Sequence, residues 1–343
     1  MTNLKQPLVS VCIPTYNTET TIHETLASII NQSYANLDIQ IVDNASTDNT
    51  LKVVAEFDDA RIKIHRNEVN VGAEGNCTRC IQVATGKYTA IFHSDDIYEP
   101  EMVQRQVEFL ERHAEAGAVF TEANLIDETG RFFGNIKLPD GLGSPKHLYD
   151  FVTVFKAVLK HSNFLICPSV LARTNLYQQE IKGWRADQFG PSADLDVWLR
   201  MAQLQPIGIL PLPLMRYRIS HSQVSARVRL KTERADFFRV TDFYLAQNDV
   251  RTKLDFCDIQ NHVRLERRDR VMRAINALLQ GNASLAKELC PDVLSMDVFK
   301  AALQTRRGLG VMLLATFLKI MLTLRMNHLA IITLNYMRKL ANK

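Results

Sequence analysis

The chain has 343 residues, 46% of them hydrophobic, which is material for roughly two domains of about 150 residues with cores of their own. The formal charge of +4 belongs to one end: from Lys300 onward there are eight Lys or Arg and no Asp or Glu, so the residues before Lys300 sum to −4. That body has no basic stripe with interleaved aromatics and no zinc-finger or helix-turn-helix signature, which argues against a nucleic-acid partner. Six scattered cysteines (Cys12, Cys77, Cys80, Cys167, Cys257, Cys290) make no disulfide framework and fit a reducing compartment. Cys77 and Cys80 lack the second pair a zinc site needs and read as small residues on a helix. The opening Met-Thr-Asn-Leu-Lys-Gln-Pro has no apolar run, so no secretory signal is expected.

Residues 8–13 form a near-continuous apolar run, the pattern of a central parallel strand. It ends at Pro14-Thr15-Tyr16-Asn17, where Pro is expected to stop the pairing and the next three residues offer hydrogen bonds and a stacking face. Ile22, Leu26, Ile29 and Ile30 recur at helical spacing and predict an amphipathic helix over 19–32. A second strand over 37–42 runs into Asp43-Asn44, and Ser46 to Asp48 suit the cap of a helix over 51–57. A third strand (61–65), a loop (66–72) and a helix over 74–85 stopped by Gly86 lead to a short buried strand over 88–92. This strand gives way at once to His93-Ser94-Asp95-Asp96 and then Pro100. Strand and helix alternate with short connections, which predicts an α/β fold with a doubly wound, mostly parallel sheet.

Three strand ends carry polar clusters: Thr15–Asn17, Asp43–Asn44 and Ser94–Asp96. Ligands of open α/β sheets bind beyond the carboxyl ends of the strands, although each cluster taken singly also reads as a turn. Asp95 and Asp96 read two ways, as ligands of a divalent cation or as the cap of a helix starting near Pro100. Neither a Gly-x-Gly-x-x-Gly after the first strand nor a P-loop is present, which argues against dinucleotide and P-loop sites.

A helix over 102–113 and a strand over 116–120 come next, followed by a Gly130 turn. Residues 131–165, with Gly134, Pro139, Gly141, Gly143 and Pro145, read as an irregular segment. A strand over 168–173 precedes a helix starting at about Asp194. Its first turn holds Asp194 and Asp196, and its later turns (Trp198, Leu199, Met201) are the ones expected to be buried. Asp194 reads as a cap or as a functional acid. The last strand covers 210–219, and helices over 227–248, 261–279, 284–289 and 298–305 follow, with Gly281-Asn282 and Pro291 at their turns.

Taken together, five stretches resemble family 2 glycosyltransferases, in the family's order. They are Val9–Asn17, Val42–Thr50, Asn70-Val71-Gly72 with Asn76, His93–Asp96, and Ala193–Leu199, and the resemblance covers about 8–225. It implies a GT-A nucleotide-sugar domain over 1–226, followed by a helical region over 227–343. Donor contacts would come from Pro14, Thr15, Tyr16, Asn17, Asp43, Asn44, Asn70, Gly72, Asn76, Ser94 and Asp96. Asp95 would hold Mn²⁺ or Mg²⁺, and Asp194 would be the catalytic base. Three positions depart from the pattern. His93 replaces the first Asp of the acidic motif, and Ala193 replaces a Glu before the base. His221 falls one place later than the family's Tyr-Arg-x-His and is carried as a metal or phosphate ligand.

The residues suit that chemistry. A cation on Asp95 neutralises charge on a leaving nucleoside diphosphate, and Asp194 takes the acceptor's proton, giving single displacement with inversion. The expected function is metal-dependent transfer from a nucleoside diphosphate sugar, a UDP-sugar foremost, to a glycan or glycolipid acceptor in surface polysaccharide synthesis. Acceptor choice is expected in 131–165 and the C-terminal helices. A sugar nucleotidyltransferase would want a Gly-rich basic loop after the first strand, which is absent. A catalytically degenerate sugar-nucleotide binder is the non-enzymatic alternative, kept open by His93 and Ala193.

Gly308–Leu324 is the most apolar run, but Lys319 interrupts it, leaving it short of a spanning helix. Thr316, Lys319, Thr323 and Asn327 share a stripe, and Arg306, Arg307, Arg325, Arg338, Lys339 and Lys343 surround it with no acid to balance them. Residues 304–343 therefore read equally as a helix pair on an anionic membrane surface or as one packed on the catalytic domain or a second subunit. The protein is expected to be cytoplasmic; the first reading places it at the inner face of the plasma membrane, and packing on a second subunit would make a homo-oligomer.

Overall fold

A computed structural model of the chain describes residues 6–142, 145–220, 231–290 and 306–341. Its contacts divide into two compact units, Met1–Ser220 and His221–Lys343. In the first, the apolar runs become strands of one sheet in the order β3-β2-β1-β4-β9-β6-β10-β5. β1 (Val9–Thr15), β2 (Leu37–Asp43), β3 (Ile62–Arg66) and β4 (Tyr88–Ile91) join through parallel ladders, as do β6 (Ala118–Ile126) and β10 (Ile207–Arg218). β9 (Leu171–Arg173) lies antiparallel between β4 and β6. β5 (Ile97–Tyr98) and β8 (Leu148–Tyr149) flank β10, and β7 (Phe132–Ile136) hairpins with β6. The alternation of elements thus yields the expected mostly parallel α/β sheet, and its residues in β2 are buried throughout, as central strands require.

The flanking helices are α1 (Ile22–Ile30), α2 (Thr50–Val54), α3 (Gly72–Val83), α4 (Met102–Arg112), α5 (Phe151–His161), α6 (Ala186–Phe189) and α7 (Ala193–Leu204). Several expectations need correcting. β1 does not stop at Pro14 but continues with Pro14 opposite Val42 and Thr15 opposite Asp43. In a parallel strand alternate residues bond to opposite neighbours: Cys12 O accepts from Phe92 N beyond β4, while Thr15 O accepts from Asn44 N. Pro14 faces the side on which β4 has already ended, so its missing N–H breaks no ladder bond. Gly86 is not the stop of α3, which ends at Val83. It is where the chain passes β1, and a Cβ there would lie 2.6 Å from Leu8 O. The strand expected over 116–120 runs on to Ile126.

The segment 131–165 is not irregular. It holds β7, β8 and α5, the last capped by Asp150, whose carboxylate accepts from Thr153 N at 2.8 Å. Phe151, Val154, Phe155, Val158 and Leu159 supply a helical apolar face, and all are buried. The first turn of α7 is buried as well as the later ones, with Ala193, Leu195 and Asp196 inaccessible.

In the second unit, helices span Asp236–Leu245, Asn248–Arg251, Phe256–Leu279, Ala283–Leu289, Arg306–Thr323 and Asn327–Ala341. Among the described residues of the helix expected over 227–248, helix begins at Asp236 and is interrupted before Asn248. Asp255 and Asp258 cap the long helix reciprocally, and Asn282 caps the next after a turn at Gly281 (φ +85°). Val271, Ala274 and Leu278 pack with Leu318, Leu322 and Leu334, so part of the apolar face of the last two helices is covered within the unit. Leu313, Leu324 and Tyr336 remain about 60% exposed. No helix among the described residues is long and apolar enough to cross a membrane. His221, residues 227–230, Pro291, the helix expected over 298–305 and Lys343 lie outside the described residues.

Candidate active site

The ladders set Thr15 beside Asp43 and Cys12 beside Ile91, so the polar ends of β2, β1 and β4 meet on one edge of the sheet. Asp43 is wholly buried; it accepts from Ser46 N at 3.2 and 3.3 Å and pairs with Arg66 Nε at 3.4 Å. Thr15 is buried and donates to Ile13 O, whereas the Tyr16 ring is 46% exposed. Asn17 turns the chain at φ +50°, its N–H donating to Ser46 Oγ and its Oδ1 accepting from Thr47 N.

The asparagines expected to touch the donor are hydrogen-bonded to one another and to the backbone. Asn44 donates to Asn70 Oδ1 and Gly72 O and accepts from Asn67 and from Val71 N. Asn76 donates to Val42 O and accepts from Asn67. These amides hold the 67–72 loop onto the end of β2. Asn44, Asn70, Gly72 and Asn76 are thereby held together at the end of β2.

Residues 93–96 are stapled by their carbonyls. His93 O accepts from Tyr98 Oη at 3.2 Å, Ser94 O from Thr21 Oγ1 at 3.0 Å, Asp95 O from Arg218 Nε at 2.8 Å and Asp96 O from Thr25 Oγ1 at 2.7 Å. Neither aspartate caps α4, which starts after Glu101 with no side-chain cap. Asp96 is fully buried: its Oδ1 accepts from Arg218 N at 2.8 Å, while its Oδ2 has no hydrogen-bond partner. Burial, and then the charge of Asp95, push its carboxyl well above the usual range. One ligand atom from each of His93, Asp95 and Asp96 lies within 4.8 Å of the others. A buried, unpartnered carboxylate oxygen beside a second carboxylate and an imidazole fits a divalent cation.

Asp194 opens α7. Its Oδ1 accepts from Leu195 N at 2.7 Å and its Oδ2 from Asn163 Nδ2 at 3.3 Å. Desolvation, with the charge of Glu74 adding to it, pushes its carboxyl up to about 6. Burial, and then the charges of Asp96 and Asp95, push the Tyr217 hydroxyl upward. Asp196, two residues on, has a different role: fully buried, it accepts from Arg185 and from Arg200 Nε. Arg200 also donates to Ile181 O and Gly183 O, both at 2.7 Å, so the loop leading to Asp194 is clamped to α7.

With this geometry in place, comparison with known proteins is informative. A family model described as Glycosyl transferase family 2 matches residues 10–165. An uncharacterized glycosyltransferase of Haemophilus influenzae is 31% identical over 224 residues, 64% of this chain and 68% of that one. The chain belongs to glycosyl transferase family 2. This family 2 glycosyltransferase is also 38% identical over 103 residues to the Escherichia coli UDP-Glc:alpha-D-GlcNAc-diphosphoundecaprenol beta-1,3-glucosyltransferase WfgD, across 30% of this chain and 41% of WfgD. Among solved structures, S. aureus TarS 1-349 in complex with UDP-GlcNAc matches at a TM-score of 0.58 and 17% identity. That match covers 92% of this chain and 91% of the other, and it shows the shared GT-A fold.

The family 2 edge brings Thr15, Tyr16, Asn17, Asp43, Ser94, Asp95 and Asp96 together, with Pro14 in the strand below; His221 lies outside the described residues. Sequence reading missed Arg66 beside Asp43, the Arg185–Asp196–Arg200 clamp and Arg218. The last reaches Asp96, Asp95 O, the carbonyls of Asp127 and Glu128, and Glu24 Oε2 at 2.6 Å. A lone arginine ending an apolar strand was the only available signal, and Arg216 gives the same one while pairing with Glu99 near the surface.

Proposed function

We propose that this glycosyltransferase transfers a sugar from a UDP-sugar, with Mn²⁺ or Mg²⁺, to a lipid-linked or glycan acceptor in polysaccharide assembly, with inversion at the anomeric carbon. The observation that carries the proposal is the cluster of His93, Asp95 and Asp96 just beyond β4, whose ligand atoms lie within 4.8 Å of one another. WfgD's name states a UDP-Glc donor and a diphosphoundecaprenol-linked acceptor, and TarS was solved with UDP-GlcNAc and with UDP, which supports this donor and acceptor class. In this reading Asp43, Tyr16 and Arg66 border the nucleoside, and Asp95 with Asp96 would hold the cation. When bound, the ion supplies neutralisation of the charge developing on the departing diphosphate. Asp194 accepts the proton of the acceptor hydroxyl, and a single base without a carboxylate nucleophile corresponds to one displacement. Calorimetric titration of UDP with and without Mn²⁺ tests the donor half. Mn²⁺ should tighten UDP binding to the native enzyme by roughly tenfold or more and have no effect on Asp95→Ala. Equal Mn²⁺ dependence in both would reject it.

The same proposal places the last two helices on an anionic membrane surface. The exposed Leu313, Leu324 and Tyr336, together with a tail that has no acid from Lys300 onward, support this placement. The enzyme should float with phosphatidylglycerol vesicles at low salt and be released at about 1 M salt, where screening is near-complete. Double substitution Leu313→Asp, Leu324→Asp should abolish flotation; equal recovery with neutral vesicles at any salt would rule out the electrostatic part.

A further inference from the structure

Within the cation site just proposed, on which this inference rests, we propose that His93 is itself a ligand. It gives the ion one imidazole nitrogen and makes the site favour Mn²⁺ or Co²⁺ over Mg²⁺. Four observations converge on it. Ligand atoms of His93, Asp95 and Asp96 lie within 4.8 Å of one another, against separations of about 3–4.4 Å for two ligands of one six-coordinate ion at about 2.1–2.2 Å. Asp96 Oδ2 is buried without a partner, so the cluster contains an acceptor with no hydrogen-bond donor to meet it. The other oxygen of that carboxylate is fixed by Arg218 N, which prevents the group from turning away. The backbone under all three side chains is pinned carbonyl by carbonyl, and Tyr98, which pins His93, is itself stacked on Phe92 at 3.9 Å. Such a site is assembled before any ion arrives.

The chemical consequence follows from the donor set. Mg²⁺ prefers an all-oxygen octahedron and loses water reluctantly, whereas imidazole raises affinity along the first-row series from Mn²⁺ towards Co²⁺ and Zn²⁺. Replacing a carboxylate by His93 therefore also lowers the negative charge of the site, which weakens hold on a hard ion most.

The test uses the full-length protein with Mn²⁺ and inorganic pyrophosphate, which carries no nitrogen, and reads the bound ion by electron spin-echo modulation. The native protein should show directly coordinated ¹⁴N that becomes ¹⁵N when histidine is labelled. His93→Asp should keep bound Mn²⁺, lose the nitrogen signal and, in calorimetry, lower the Mn²⁺-to-Mg²⁺ affinity ratio by roughly tenfold. Bound Mn²⁺ without nitrogen coupling, removed by Asp95→Ala, overturns the role of His93 and leaves the cation site intact. A nitrogen signal that survives His93→Asp and disappears in His221→Ala assigns the ligand to His221 and likewise overturns it. Absence of saturable Mn²⁺ in the native protein removes the cation site itself and the proposal with it. If His93→Asp fails to fold, His221→Ala decides: a histidine-nitrogen signal that survives it supports His93, and one that is lost with it overturns the proposal.

Discussion

Asp194→Asn should slow sugar transfer by roughly 10²–10⁴-fold, the usual contribution of a general base, while UDP binding changes little. The substitution keeps the shape of the side chain but leaves one oxygen where two now accept, from Leu195 N and from Asn163. One of those contacts must be lost, a local cost of about 1 kcal/mol that does not threaten the fold. The raised carboxyl gives an independent check in the native enzyme. With its titration at about 6, the group is protonated below that pH and cannot accept the acceptor's proton. With Asp194 as the proposed base the ionised form is the active one, so kcat/KM should be flat above pH 7 and fall about tenfold per unit below pH 6. A profile unchanged between pH 5 and 7, or an Asn variant with native turnover, would show that the proton goes elsewhere.

The second large effect is on stability. Asp196→Ala should destabilise the enzyme by about 3 kcal/mol, the lower end of what is lost when one partner of a buried ion pair is removed. The discount has a structural cause: the Arg185 side chain is 35% exposed, so its charge can hydrate once the carboxylate is gone. Arg200, at 18%, keeps the carbonyls of Ile181 and Gly183 but loses its counter-charge. Urea unfolding followed by tryptophan fluorescence measures this directly, because Trp184 and Trp198 lie 6.2 Å apart across this clamp. Asp196→Asn, which retains an acceptor, should lose less. An unchanged midpoint in the Ala variant would mean that the clamp contributes no net stability.

The polar strand ends were readable because a parallel strand is apolar until it stops, so polarity appears abruptly at Asp43 and at His93. Their adjacency needed the sheet order, which alternation of strand and helix supplies. What sequence could not give was the division of labour among chemically equal residues. Asp194 and Asp196 stand two positions apart in one helical turn, yet one is only half-buried and the other is sealed between two arginines. Asn44 and Asp43 are neighbours, and only the tertiary course of the 67–72 loop decides that Asn44 is consumed by it. The helix Phe151–His161 was hidden for a local reason: glycines and prolines just before it dominate the window, although its own apolar spacing is regular. β10 carries Pro211 and Pro213 within a strand because its pairing with β6 slips there, and slips are invisible in composition.

Arg218 has a consequence for how such enzymes can be recombined. One guanidinium and its own amide join the acidic motif to Glu24 of α1 and to the carbonyls of Asp127 and Glu128 at the tip of the β6–β7 hairpin. That hairpin looks like a detachable module, an obvious place to exchange segments between relatives in order to alter acceptor choice. It is wired instead to the Asp95–Asp96 motif. A graft that shifts those two carbonyls moves the arginine, and through it Asp95 and Asp96, so a swap designed to change what is glycosylated would also change whether anything is.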